Sequence, residues 1–290
     1  AFRSMLLTDS NPATFHVLRT NSERFTTAGV SAQLHDARQP LDFGSFDFVD
    51  IDPFGSPLPF LPSAIASLRD PGLLGVAATD MPVLAGAARR AAERRYGGRP
   101  VRGRLGPEGG LRLVLANVAR RAAEGGRVIR PSVCYIHDHH IRAYVRIQAG
   151  DPASAPIGII EPGDWSGPML DGEGPFGPMW LGPMFDPVIV RTLLVPPNAE
   201  HPAEARRFIE RFRDEAEADR PFYYEPNTLA ARLHLSHPVG PDVIIAALRS
   251  GGFSAGRTHA RPAGFRTTAE RSTVEEVVRD LSTVLRSRAP

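Results

Sequence analysis

The chain has 290 residues, 42% of them hydrophobic, and a formal charge of +2. That length supports more than one domain. No apolar run reaches the roughly 18 residues of a membrane span, and the start AFRSMLLTDS lacks the basic and apolar regions of a signal peptide. Lysine is absent, so every one of the 34 basic residues is arginine, which excludes Schiff-base and P-loop chemistry, while a single cysteine, Cys134, excludes an internal disulfide and a multi-cysteine zinc site. A soluble, cytoplasmic protein is expected, with Cys134 acting as a small strand hydrophobe in a reducing compartment.

Taken in chain order, the apolar run 5–8 reads as a strand ending at Asp9, and a helix opens at Asn11 and Pro12, where the first turn tolerates proline. Three more runs follow the same pattern: 30–34 ends at His35 and Asp36, 46–51 at Asp52, and 73–78 at Thr79 and Asp80. Segments 60–68 and 83–95 have helical spacing. Apolar strands alternating with helices predict a parallel α/β sheet, whose ligands collect at the carboxyl ends of the strands. Asp9, Asp36, Asp52 and Asp80 are all expected on that rim. One such residue would read as a helix cap; the series favours a site.

Arg89, Arg90, Arg94, Arg95, Arg99, Arg102 and Arg104 form a basic cluster that fits either a solvated helix face or a phosphate-binding surface. A helix over 111–123 precedes two strands within 132–147 that meet near Asp138. Gly, Pro and Asp dominate 149–177, which divides the chain into a domain over 1–150 and a second over 151–290. The second is expected to hold helices over 203–218, 227–233, 241–250 and 273–286, with a hairpin in 253–267, an order similar to a winged helix. His137, Asp138, His139 and His140 invite a metal reading, but successive strand residues face opposite ways and no metal is expected. Trp180 with Phe185, and Tyr223 with Tyr224, suit base stacking or a core equally.

The chemistry concentrates in Asp50-Ile51-Asp52-Pro53-Phe54-Gly55-Ser56-Pro57. At a strand end, a carboxylate can accept hydrogen bonds from an exocyclic amine and help remove its proton. Proline stiffens the turn, and an aromatic can stack on a base. Asp-Pro-aromatic alone is a common turn sequence.

The whole string, however, resembles the tRNA (guanine-N2)-dimethyltransferase family of archaea, eukaryotes and some bacteria. The resemblance continues through Pro59-Phe60-Leu61, Ser63-Ala64-Ile65, the segment 72–81 and Leu84-Ala85-Gly86. It resumes at Asp138-His139-His140-Ile141-Arg142, where the family commonly has tyrosine in place of His140. It extends to the segment 177–183, Arg257-Thr258-His259 and Gly264-Phe265-Arg266-Thr267. It implies a Rossmann-like class I methyltransferase domain followed by a smaller α+β domain that holds tRNA, S-adenosylmethionine as cofactor, and guanosine 26 as target.

By position, Asp9 resembles the residue that binds the cofactor ribose, and Asp36 with Ala37 those beside the adenine. Asp52 is the expected catalytic carboxylate, bordering the cofactor too, with Pro53 and Phe54 beside it. Arg89, Arg94, Arg95, Arg257, His259 and Arg266 are the expected RNA contacts. Eight residues precede Asp9, too few for the family's first strand and Gly-rich loop, so the chain is expected to lack the N-terminal part of its cofactor site. Two other readings share these motifs: an amino-methyltransferase acting on DNA or protein, and a tRNA-binding remnant without catalysis.

Overall fold

A computed structural model describes residues 3–24, 29–41 and 44–287. Strand β1 (Ser4–Asp9) leads into helix α1 (Pro12–Ser22), whose first turn is capped by the Asn11 side chain accepting from the Ala13 N–H at 2.8 Å. Then come β2 (Gly29–Leu34), β3 (Phe46–Ile51), α2 (Leu61–Ser67) and β4 (Leu68–Ala78). The helix expected over 83–95 is broken in two, α3 (Met81–Leu84) and α4 (Arg89–Tyr96). Gly86 is the reason. It adopts φ 86°, and a Cβ there would lie 2.7 Å from the Val101 carbonyl oxygen.

Helix α5 (Gly106–Ala123) is followed by the hairpin β5 (Arg127–His137) and β6 (His140–Ala149). Beyond it lie β7 (Ile157–Ile160), β8 (Phe176–Trp180), α6 (Pro187–Thr192) and α7 (Pro202–Glu217). The chain ends in α8 (Pro226–Arg232), α9 (Pro241–Ser250), the antiparallel pair β9 (Ala255–Arg257) and β10 (Phe265–Thr267), and α10 (Arg271–Ser287), so the expected C-terminal helices and hairpin are present.

The parallel strands fall into two sheets rather than one. β1 pairs with β2, whereas β3 and β4 pair in parallel within a four-stranded sheet of order β3-β4-β6-β5 whose last two strands run antiparallel. Among the described residues neither β1 nor β3 has a second paired neighbour. Apolar runs mark strands; they do not say which strand lies alongside.

Helix α5 fills the space between this sheet and β8, and its Leu111, Leu113, Val114 and Leu115 are fully buried, each contributing about 1.5–3 kcal/mol of burial free energy. Gly110 lets α5 close on α3, since a Cβ there would lie 2.7 Å from that of Leu84. Cys134 is buried in β5, and burial pushes its thiol well above the ordinary range. Trp180, Phe185, Tyr223 and Tyr224 are all core residues, not surface stacking platforms. The first core runs from Ile51 past residue 150 to Tyr223; the second spans Tyr224 to Val278.

A fully buried ionic network joins α5, α7 and β10. Arg266, 1% exposed, donates from Nη2 and Nη1 to Glu108 at 2.9 and 3.1 Å and from Nε to Glu215 at 2.5 Å. Glu108 also accepts from Arg112 Nε at 2.9 Å and the Phe222 N–H at 2.7 Å. Glu215 accepts from the His259 backbone N–H at 2.6 Å and ring Nδ1 at 2.5 Å. Because the Ile136 N–H donates to His259 Nε2 at 3.0 Å, the imidazole carries its proton on Nδ1 and is a neutral donor. Burial pushes the Glu215 carboxyl up, but the Arg266 guanidinium and the hydrogen bonds from His259 more than offset it and hold it below its ordinary range. Two expected RNA contacts are thereby corrected: Arg266 and His259 are sealed inside and fully partnered, so neither reaches a phosphate.

Arg266→Leu leaves Glu215 buried without its cation and is expected to lower stability by about 3–5 kcal/mol in urea unfolding. A loss under about 1 kcal/mol would mean that the network does not hold the two parts together. With Glu215 held below its ordinary 4.5, its contribution is full above 4.5 and lost as pH falls through the lowered value. The loss of stability across that window is expected to be shallower in Glu215→Gln than in the parent.

Candidate functional site

Parallel β3 and β4 end side by side, with Ile51 opposite Val76, so Asp52 and Thr79 follow on the same rim. The intervening turn is tied across the rim: the Gly55 N–H donates to Thr79 Oγ1 at 2.7 Å, and the Thr79 N–H donates to the Gly55 carbonyl at 3.1 Å. Gly55 sits at φ 84°, a left-handed conformation that side chains resist. Pro53 and Ser56 are half-buried and Pro57 is buried, which anchors the turn. Phe54 stands out from it at 104% exposure. Asp52 is exposed too, and among the described residues no hydrogen bond or ion pair reaches its carboxylate.

Two residues back on the same face of β3, Asp50 receives Arg142 Nη2 from β6 at 2.6 Å. The Arg142 guanidinium lies 4.9 Å over the Tyr144 ring, and its Nε donates to the Tyr144 hydroxyl at 3.1 Å. Gly75 makes this possible, because a Cβ there would come within 2.3 Å of Asp50 Oδ1. This Asp50–Arg142–Tyr144 unit was not assigned from sequence. The signal was a glycine inside an apolar strand, which marks a close approach but not its partner.

The other strand-end aspartates differ in what they hold. Asp9 Oδ1 accepts the Asn11 N–H at 2.7 Å. Asp36 is gripped by Arg38, whose Nε and Nη2 donate to both oxygens at 2.6–3.0 Å, and the Arg38 hydrogen bonds hold its carboxyl at about 2. Beside it, the Ala37 carbonyl accepts from Ser63 Oγ. Asp80 is paired with Arg95. Below the turn, Tyr96 is fully buried, and burial pushes its phenol up to about 12.

The expected RNA contacts also separate. Arg89 pairs with Glu93 at 2.8 Å, Arg95 with Asp80, and Arg257 with Asp242 at 2.8 and 3.2 Å. Arg94 is exposed with no ion pair among the described residues. Among those residues, no three His, Cys, Asp or Glu side chains converge as metal ligands, and no helix is long and apolar enough to cross a membrane.

A model of the family described as N2,N2-dimethylguanosine tRNA methyltransferase matches residues 1–157 and 172–279. A tRNA (guanine(26)-N(2))-dimethyltransferase of Thermococcus kodakarensis is 37% identical over 257 residues, 83% of this chain and 66% of that protein. One of the same description from Methanosarcina barkeri is 31% identical over 303 residues, 95% of this chain and 76% of that protein. The solved structure of Trm1 from Pyrococcus horikoshii with S-adenosyl-L-methionine matches with a TM-score of 0.82 at 29% identity, covering 95% of this chain and 82% of that one. The chain belongs to the N2,N2-dimethylguanosine tRNA methyltransferase family, with the expected Rossmann-like α/β fold and C-terminal part. It spans 66% and 62% of the length of the Thermococcus kodakarensis and Pyrococcus horikoshii relatives.

Because Phe54 packs against nothing, Phe54→Ala is expected to leave the unfolding free energy within about 0.5 kcal/mol of the parent. Thr79→Val removes the acceptor that ties the turn and is expected to cost about 1 kcal/mol. Thermal melts of both variants check this; a large drop for Phe54→Ala would return that residue to the core.

Proposed function

We propose that this chain carries the catalytic site of a cytoplasmic, S-adenosylmethionine-dependent methyltransferase that acts on N2 of guanosine 26 in tRNA. One observation carries the reading: a fully exposed phenylalanine and an unpartnered carboxylate share a turn that is otherwise anchored at both ends. The relatives' descriptions favour tRNA over a DNA or protein substrate, and favour an active enzyme over a remnant.

The aspartates fit the cofactor to different degrees. Among the described residues Asp9 Oδ2 has no hydrogen-bond partner, so a ribose hydroxyl would donate to it at the end of β1, while Oδ1 is steadied by Asn11. Asp36 is already held by Arg38, so it and Ala37 would flank the adenine as a preformed wall. When bound, the cofactor supplies an electrophilic methyl group. Asp52 accepts hydrogen bonds from the exocyclic amine, turns its lone pair towards that methyl and receives the proton the amine loses. Phe54 stacks on the displaced base, and Pro53 keeps the turn from yielding. An aromatic amine is a weak nucleophile, so alignment supplies more of the acceleration than base strength does.

The test is single-turnover methylation of a tRNA transcript by the full-length protein, with N2-methylated guanosine located by mass spectrometry. Asp52→Ala is expected to lower the rate by roughly a hundredfold or more while tRNA affinity holds, and Phe54→Ala by about tenfold to a hundredfold. A folded Asp52→Ala protein that methylates near the parental rate would remove Asp52 from the chemistry.

A further inference from the structure

Helix α7 is fixed on one side by aromatic contacts. Phe208 meets His137 edge-on at 5.3 Å between ring centroids, and Phe212 packs on Tyr135, Phe185 and His259 at 5.5, 5.2 and 5.3 Å. Glu215, one turn on, enters the buried network. With that face turned inward, Arg207 and Arg211, four residues apart, share another face of the helix.

Arg207 is exposed and Arg211 half-buried, and among the described residues neither has a hydrogen bond or an ion pair. Partial burial and the like charges of Arg207 and Arg257 push the Arg211 guanidinium below its ordinary range, and the nearby Glu215 does not reverse this. The acids around Arg257 are already engaged: Asp242 holds its guanidinium, and Asp214 accepts its N–H at 3.2 Å and faces Arg249 at 3.6 Å. Arg207 and Arg211 therefore have no ion-pair partner among the described residues.

Their position relative to the Asp52 turn follows from the sheet. β6 starts beside the end of β4, with Ile141 opposite Ala78, so the tip of the β5–β6 hairpin lies on the same rim as Asp52. Phe208 docks α7 on that hairpin through His137. At the end of β4, the strand between β3 and the hairpin, α4 is tied to Asp80 by Arg95 and exposes Arg90 and Arg94.

We propose that Arg207 and Arg211 of α7 form a second contact for the RNA phosphate backbone, across the β5–β6 hairpin from the Asp52 turn. The contact rests on the tRNA reading above. Guanidinium groups suit it because they remain charged and present a planar fork to phosphate oxygens. RNA held at α4 and at α7 would run along the rim where the target base has to enter.

The experiment measures tRNA affinity from low to moderate salt for the full-length parent, Arg207→Gln/Arg211→Gln and Arg207→Lys/Arg211→Lys, beside melting temperature and S-adenosylmethionine affinity. The Gln pair is expected to bind at least about tenfold more weakly and to flatten the log–log salt slope by about 1.4 to 1.8, near 0.7 to 0.9 per lost phosphate contact. The Lys pair should keep most of the slope. Melting temperature and cofactor affinity should not change, because neither arginine has an internal partner. A Gln pair with parental affinity and slope overturns this contact and leaves the tRNA reading intact, as does a Lys pair that loses as much as the Gln pair. A parent that neither binds nor methylates tRNA overturns the reading itself.

Discussion

The structure depends on the satisfaction of one buried guanidinium. Arg266 lies on a short C-terminal strand, yet its donors end on Glu108 in α5 and Glu215 in α7. Taking such charges out of water costs several kcal/mol per ion, repaid only where geometry and hydrogen bonding are complete. Here nearly every lone pair is used: Arg112, Phe222, Thr258 and His259 take up the remaining carboxylate positions. Hydrophobic contacts tolerate sliding, but this arrangement does not. It sets how α7 and the β9–β10 pair stand against the sheet that carries Asp52, so the spacing between the Asp52 turn and the arginines of α7 is a property of the network.

The same residue shows where reading a sequence stops. Arginine next to Gly264 and Phe265 in a basic C-terminal segment reads as a surface cation, since arginine is rarely buried unless paired. Its partners are 158 and 51 residues away in the chain, and only the fold brings them together. Local features were legible because their causes are local. Asn11 caps its helix through the amide two residues on, apolar runs gave the strands, and the C-terminal helices lie close to their expected places. Strand neighbours were not legible, which is why one expected sheet is two. Gly86 was legible as a motif residue but not as a helix break, because a glycine within a helical pattern announces neither its φ nor the carbonyl packed against it.

The candidate site was legible as a set and not as individuals. Asp9, Asp36, Asp52 and Asp80 look alike at four strand ends, and their differences lie in what each accepts. A backbone amide steadies Asp9, Arg38 closes on Asp36, and Arg95 closes on Asp80. Asp52 alone among them has no partner among the described residues, beside an aromatic with nothing to pack on. The supporting unit of Asp50, Arg142 and Tyr144 needs a strand from the other end of the domain and a glycine between, so no linear pattern could have announced it.

The exposure of Phe54 has a consequence for fidelity. An aromatic face accepts any base with comparable affinity, because every base has a π surface. In the proposed reaction, discrimination among displaced bases therefore falls to the carboxylate two residues earlier, which can only accept. Guanine offers it two adjacent donors, the ring N1–H and the amino N2–H. Adenine and cytosine each set a ring acceptor beside their amino group, and that lone pair would face the carboxylate's own. A turn that holds both groups still would thus let every base stack and let one stay.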